Sequence, residues 1–91
     1  MEIEFDPDQR DATLRERGLD FRDAPIVIDG NSVTLTDDRF DYGEVRKVSF
    51  GWLDEQAVAV VWTQRGDVKR IISMRGMHEE EITDVGLARP R

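Results

Sequence analysis

The sequence predicts an α+β domain in which a small antiparallel sheet packs against helices. The stretch from residue 45 to residue 75 contains three apolar runs separated by short polar turns, as expected of consecutive antiparallel strands. Helix start and stop signals precede this stretch, and a shorter helical segment follows it. The chain length and the absence of repeats or linkers predict a single domain over residues 1–91.

The three apolar runs differ in their pattern, and the difference predicts their order in the sheet. Apolar and polar residues alternate in Val45–Leu53, which is typical of a strand with one buried face. Ala57–Thr63 is almost continuously apolar and β-branched, as expected of a central strand covered on both faces. Val68–Arg75 follows a turn that contains Gly66. We therefore expect Ala57–Thr63 in the middle of the sheet, flanked by the other two strands.

Two N-terminal helices are predicted from capping residues. Asp6 is a good N-cap, Pro7 suits the first helical position, and Gly18 suits the left-handed conformation that ends a helix. The second segment, Phe21–Asp29, is apolar enough to be buried. Because Pro25 removes a backbone donor within this segment, the helix should be short or irregular, or begin later.

The remaining segments are short. Ile3–Phe5 is a candidate edge strand and Val33–Thr36 a candidate short strand. An acidic loop, residues 37–43, leads into the sheet, and His78–Val85 should form a short C-terminal helix. Residues 87–91 are expected to be a mobile tail.

Composition excludes several classes of function. The chain has no cysteine, which excludes disulfides, thiolate nucleophiles and cysteine–zinc sites. No apolar run approaches the roughly 20 residues that a membrane-spanning helix needs. The acidic N-terminus does not resemble a signal peptide, so the cytoplasm is the expected compartment.

The formal net charge of −7 is unevenly distributed along the chain. Residues 1–44 contain 5 basic and 13 acidic residues, whereas residues 45–75 contain 6 basic and 3 acidic residues. A nucleic-acid-binding surface over the whole domain would need a basic balance. A local site for an anionic ligand on the sheet remains open. The alternative is that these cations occupy exposed strand positions and serve solubility.

Few residues are candidates for chemistry. No glycine-rich phosphate loop occurs, and the single histidine, His78, has no partner at a metal-ligand spacing, so no metal site is predicted. Glu44 and Arg46 are two residues apart, hence on one face of an extended chain. Arg70 and Arg75 are five apart, hence on opposite faces of a regular strand. Guanidinium groups bind phosphate in a bidentate manner and stabilise its developing charge.

A carboxylate or imidazole beside such arginines could act as a general base. Glu44, Glu81 and His78 are the candidates. The alternatives are an ordinary cross-strand ion pair for Glu44 and a solvated helix start for His78.

Several short motifs follow one another along the chain, each occurring once. They are Phe5-Asp6-Pro7, Glu16-Arg17-Gly18 followed by Phe21 and Ala24, Gly43-Glu44 with Arg46, Gly51, Thr63, Arg70-Ile71-Ile72-Ser73-Met74-Arg75, and Glu81. This order resembles the BrnT family, the ribonuclease toxins of type II toxin–antitoxin modules, from about Glu4 to Asp84. The resemblance implies a RelE-like fold and metal-independent RNA cleavage without a cofactor. It also implies neutralisation by a cognate BrnA-like antitoxin, through which DNA would be contacted only indirectly, and no membrane partner.

The resemblance and the chemistry together give two sets of candidate site residues. The candidate catalytic residues are Arg70, Arg75, Glu44, Arg46 and Glu81, and the candidate substrate-binding residues are Arg17, Lys69, Thr63 and His78.

Five positions depart from the family pattern. Gln9 replaces a lysine, Thr13 an asparagine, and Glu16-Arg17 a Lys-His pair, while Asp84 replaces a tyrosine. Two hypotheses follow. The first is an active toxin whose arginines hold the scissile phosphate. The second is a catalytically weakened module that binds an antitoxin-type partner without cleaving RNA, which the acidic charge and the replacements favour.

Overall fold

The computed structural model describes residues 1–38, 41 and 43–90, and within them the chain forms an α+β fold with a five-stranded mixed sheet and three α-helices. In chain order, the elements are β1 (Glu2–Glu4), α1 (Pro7–Arg17), α2 (Ala24–Asp29), β2 (Val33–Asp37), β3 (Arg46–Leu53), β4 (Gln56–Arg65), β5 (Val68–Gly76) and α3 (Glu79–Val85).

The strand order is β1-β5-β4-β3-β2, so the apolar strand β4 lies in the centre as predicted. Four of its residues in a row, positions 57–60, are buried, because both faces of β4 are covered there. The prediction of a purely antiparallel sheet is wrong, since β1 pairs with β5 in parallel. A three-residue strand carries no directional signal in its sequence. The long stretch of chain between β1 and β5 provides the crossover that a parallel pair requires.

A β-bulge interrupts the pairing of β5 with β4. Val61 pairs with Ser73, and the next residue along β4, Trp62, pairs with Ile71. Ile72 is therefore the extra residue on β5, left without an opposite partner. Beyond such a bulge, the alternation of side chains between the two faces of the strand is shifted by one residue.

The bulge changes where the two predicted arginines of β5 point. Ile71 and Met74 are three residues apart, yet both are buried in the core beneath the N-terminal helices. Arg70 and Arg75, which flank them, consequently share the opposite face of the sheet. The prediction that these arginines lie on opposite faces assumed a regular strand and is wrong.

The two faces of the sheet are covered to different extents. The covered face packs under α1, α2 and the segment between them, and it includes the buried residues Leu19, Phe21, Ala24, Val27, Val58, Val60, Trp62, Ile71 and Met74. Among the described residues, the open face packs against α3 and the residues after it, through Phe50, Ala57, Ala59, Ile82 and Leu87. The two arginines of β5 lie on the open face.

The helix boundaries follow from local chemistry. Asp6 accepts a hydrogen bond from the backbone N–H of Asp8 at 2.9 Å, and Gly18 ends α1 with a φ of 70°. A 3₁₀ turn, Phe21–Asp23, precedes α2, which places Pro25 in the first turn of that helix. At that position the missing N–H would have had no intrahelical acceptor in any case. The late start of α2 is therefore explained by Pro25.

The chain after α3 packs against the sheet. Leu87 is buried, and the indole Nε1 of Trp52 donates to the carbonyl oxygen of Ala88 at 2.7 Å. The mobility expected of residues 87–91 concerns motion and stays a prediction. In the acidic loop predicted over residues 37–43, Arg39, Phe40 and Tyr42 lie outside the described residues, as does Arg91 in the tail.

Substitution of Val60 by aspartate tests the burial of β4. Val60 is completely buried, so Val60→Asp should lower the free energy of unfolding by roughly 3–5 kcal/mol through burial of an unpaired charge. The matched control is Leu35→Asp, at a strand position that is 49 % exposed, with an expected cost of about 1 kcal/mol or less. Urea denaturation compares the two variants, and equal costs would contradict the assigned core.

Candidate functional site

Three strands bring positively charged side chains together at one end of the open face. Thr63 pairs with Arg70, and continuing the β3–β4 register by one residue sets Arg46 opposite Thr63. Arg65 lies two residues beyond Thr63 on β4 and therefore on the same face. The hydroxyl of Thr63 donates to the carbonyl oxygen of Val45 at 2.7 Å, which ties the incoming chain to the centre of this row.

These side chains border a cavity of about 160 Å³, which we call the arginine cleft. Three arginines and two carboxylates line the cleft, so the lining carries a net positive charge within an acidic protein. Its lining residues are Asp6, Gln9, Glu44, Arg46, Arg65, Arg70, Ile71 and Ile72.

The ion pairs in and around the arginine cleft are loose. Glu44 lies 3.8 Å from Arg46 and 3.6 Å from Arg65, and Glu4 lies 3.7 Å from Arg70. All three distances exceed the usual hydrogen-bond range, and the side chains are partly exposed. Such pairs contribute little to stability. An incoming phosphate could therefore replace them with shorter, charge-assisted hydrogen bonds.

A second group on the open face is held tightly. Arg75 donates to both carboxylate oxygens of Glu81, at 2.7 and 2.8 Å, and the backbone N–H of His78 donates to the same carboxylate at 3.2 Å. Hydrogen bonding from Arg75, assisted by the N–H of His78, lowers the pKa of Glu81 to about 2. A carboxylate that binds a proton so weakly is a poor general base near neutral pH. The hydrogen bonds that the Glu81 carboxylate accepts instead hold Arg75 and the start of α3 in position.

The two groups share a face but not a site. The partners of Arg75 and Arg70 on β4 are Ala59 and Thr63, four residues apart, which corresponds to roughly 13 Å along the strand. The structure therefore brings Arg70, Arg46 and Glu44 together and places Arg75 with Glu81 elsewhere.

The remaining predicted residues lie outside the arginine cleft. Arg17 donates to the carbonyl oxygen of Met74 at 2.8 Å, at a part of β5 that lies beyond its pairing with β1. Lys69 lies over the ring of Trp62, 4.7 Å from its centroid, on the side of the covered face. The substrate-binding role predicted for Arg17, Lys69, Thr63 and His78 stays a prediction; Thr63 is buried and His78 caps α3.

Two residues of the cleft were missed by sequence reasoning. Arg65 was not among the predicted site residues, although alternation from Thr63 would have placed it on the same face. Gln9 was identified only as the replacement of a family lysine, and it lines the cleft. For Gln9 no signal in the sequence indicates contact with the sheet.

Two further features concern ligands and membranes. In the described part of the chain, no three or more aspartates, glutamates and histidines converge as metal ligands. None of the helices there combines the length and apolar character of a membrane span.

The Arg75–Glu81 pair predicts a specific pH dependence of stability. Because folding lowers the pKa of Glu81 from 4.5 to about 2, the pair stabilises the fold fully above about pH 4.5, and this contribution is lost as the pH falls towards 2. The difference in unfolding free energy between the wild type and Glu81→Gln should therefore shrink as the pH falls through this range. The matched control is Glu80→Gln, on the exposed side of the same helix, and its small effect should not follow the same curve. Urea denaturation at a series of pH values measures both.

Comparisons with known proteins agree with the resemblance noted in the sequence. A family model described as the ribonuclease toxin BrnT of type II toxin–antitoxin systems matches residues 5–81. The fold is similar to the crystal structure of the Brucella abortus ribonuclease toxin BrnT, with a TM-score of 0.71 and 22 % identity over 87 % of this chain and 99 % of that chain. No curated protein sequence matches. Because the family model spans most of its length, the chain belongs to the BrnT family of ribonuclease toxins of type II toxin–antitoxin systems.

Proposed function

We propose that this chain is an RNA-cleaving toxin whose arginine cleft binds the scissile phosphate. The observation that carries the proposal is the convergence of Arg46, Arg65 and Arg70 from three strands on one small cavity. Their ion pairs are long enough for a phosphate to displace them. The family membership supports RNA cleavage as the reaction, and the cleft is the proposed binding site for the phosphate that is cleaved.

In this proposal the RNA itself provides the nucleophile. The 2′-oxygen attacks the adjacent phosphorus, the bond from phosphorus to the 5′-oxygen breaks, and a 2′,3′-cyclic phosphate forms. The proton of the 2′-hydroxyl passes to a base, and the leaving 5′-oxygen takes a proton from water. Negative charge accumulates on the phosphoryl oxygens in the transition state, and the guanidinium groups stabilise it there. The same positive charge makes the reaction independent of a metal ion.

Glu44 is the base that this geometry favours. It lines the cleft beside Arg46 and Arg65. Its carboxylate oxygens lie 3.8 Å from Arg46 and 3.6 Å from Arg65, too far for a tight hydrogen bond with either arginine. Glu81 is held in a bidentate pair, and its pKa of about 2 suits it poorly for proton abstraction. Its role would be to position Arg75, which would contact a more distant part of the RNA.

The alternative is a module that binds an antitoxin and cleaves RNA weakly. The favouring observation is Gln9, which lines the cleft at the position where the family has a lysine. A neutral amide there removes one positive charge from the phosphate site. The family membership implies an antitoxin partner in either case. A BrnA-like antitoxin, indirect contact with DNA, a RelE-like relationship of the fold and a cytoplasmic location complete the proposal.

Arginine substitutions test the proposed site. Arg70→Ala should lower the rate of RNA cleavage by about 10²–10³-fold and abolish growth arrest, because it removes a donor that acts on the transition state. Arg75→Ala should also impair activity, whereas His78→Ala should have little effect, since His78 lies outside the cleft at the start of α3. Induced expression and cleavage of purified RNA are the measurements, with circular dichroism as the folding control.

The outcome that contradicts this assignment is equally specific. A toxic Arg70→Ala/Arg75→Ala double variant beside an inactive His78→Ala variant would place the chemistry at His78. Arg15→Ala, an exposed arginine on α1 that does not line the cleft, is the matched control for loss of a positive charge.

Metal dependence is tested by chelation. If guanidinium groups supply the positive charge, cleavage by the purified protein should proceed at the same rate in excess EDTA. Loss of activity in EDTA, with recovery on addition of one particular divalent ion, would show that the proposed mechanism is incomplete.

A further inference from the structure

A second and larger cavity adjoins the arginine cleft. It has a volume of about 610 Å³, and we call it the Trp62 pocket. Glu44 and Arg65, whose side chains approach to 3.6 Å, line both cavities and form the boundary between them. The complete lining of the pocket is Glu44, Val45, Lys47, Trp62, Thr63, Gln64 and Arg65.

The pocket has an apolar wall that the fold leaves uncovered. Val45 is 64 % exposed, the highest exposure among the large apolar residues of the described chain. Trp62 also lines the pocket, but it is only 8 % exposed and Lys69 lies over its ring; its Nε1 donates to the hydroxyl of buried Ser49 at 2.9 Å. Val45 is therefore the exposed apolar surface of the pocket, and the indole of Trp62 contributes the small part of its edge that is not buried.

The rim of the pocket is polar and carries both donors and an acceptor. Lys47 and Gln64 reach it from β3 and β4. The Lys47 ammonium donates to the hydroxyl of Thr36, and the Gln64 side chain donates to the carbonyl oxygen of Gly66 and accepts from Lys69. Arg65 adds a guanidinium group, and Glu44 adds a carboxylate. The edge of a nucleobase presents acceptors and amino groups that such side chains recognise.

We propose that the Trp62 pocket receives the nucleobase next to the phosphate held in the arginine cleft, and that the substrate is therefore unpaired RNA. This inference rests on the proposed function and specifies its substrate. Trp62 and its strand partner Lys47 lie on the covered face, and the cleft arginines lie on the open face, so the two cavities meet at the end of the sheet. Glu44 and Arg65 form their shared boundary there, where neighbouring parts of one nucleotide chain could pass from one cavity to the other. A base can enter such a pocket only when it is not stacked or paired in a helix.

The experiment uses the full chain and a short single-stranded RNA that carries 2′-O-methyl groups, which remove the nucleophile and prevent cleavage. Binding is measured by fluorescence anisotropy for the intact oligonucleotide and for a series with one abasic position each. Removal of the base at one particular position should weaken binding about tenfold, because one well-packed base contributes on that scale. The same oligonucleotide annealed to its complement should bind more weakly than the single strand.

A pair of variants assigns the effect to this pocket. Val45→Asp places a negative charge on the apolar wall, so it should weaken binding of the intact oligonucleotide and remove the difference between intact and abasic forms. Ile26→Asp makes the same change at a residue that is 57 % exposed on α2 and lines neither cavity, so the difference should persist. Urea denaturation establishes that both variants fold, and the abasic series on the wild type tests the proposal even if one does not.

The possible failures are distinguishable. If the wild type cleaves RNA but every abasic oligonucleotide binds like the intact one, or the duplex binds equally well, the pocket proposal is overturned and the proposed function stands. If the wild type neither cleaves nor binds RNA, both the proposed function and the pocket proposal are overturned. If Val45→Asp leaves RNA binding unchanged but abolishes binding to the antitoxin, the pocket is a protein-binding site and the proposal is overturned.

Discussion

The extra residue on β5, Ile72, is the constraint on which the rest of this structure depends. The core under the N-terminal helices takes both Ile71 and Met74, which are three residues apart. A regular strand would leave one of them on the other face, so burying both requires the bulge. The same shift turns Arg70 towards the open face beside Thr63. Hydrophobic packing on one side of the sheet thus determines where positive charge accumulates on the other.

The two arginine groups on the open face differ in how firmly they are held, and this difference separates their roles. The bidentate pair between Arg75 and Glu81 joins β5 to the first turn of α3. These two charge-assisted hydrogen bonds help to hold the helix in position on the sheet. The ion pairs of Arg46 with Glu44 and of Arg70 with Glu4 are longer, and their side chains are partly exposed. Replacing these weak ion pairs with contacts to a ligand loses little stability, as a binding site requires.

Sequence reasoning succeeded where the signal is local. Alternation of apolar residues identified the central strand, and Asp6, Pro7 and Gly18 marked the ends of α1, because period and capping chemistry act over a few residues. The direction of β1 and the bulge at Ile72 depend on contacts between segments far apart in the chain, so no local pattern revealed them. The individual arginines were identified, but the bulge, which brings Arg70 and Arg75 onto one face, was not, and neither were the distant partners that divide the arginines into two groups. Arg65 follows from the alternation of β4 and was overlooked, whereas the position of Gln9 depends on the packing of α1 against the sheet, which no local pattern reveals.

The acidity of the chain constrains how it could bind RNA. Most of its negative charge lies in residues 1–44, outside the strands that carry the cleft, so the surface as a whole repels a polyanion. Only a few phosphates could be contacted by arginines, and the affinity gained by counterion release would be small. A protein of this charge therefore needs contacts that do not depend on net charge. Packing of a base against exposed Val45 in the Trp62 pocket is such a contact, and an unfavourable surface elsewhere would restrict binding to RNA that can supply an unpaired base at that position.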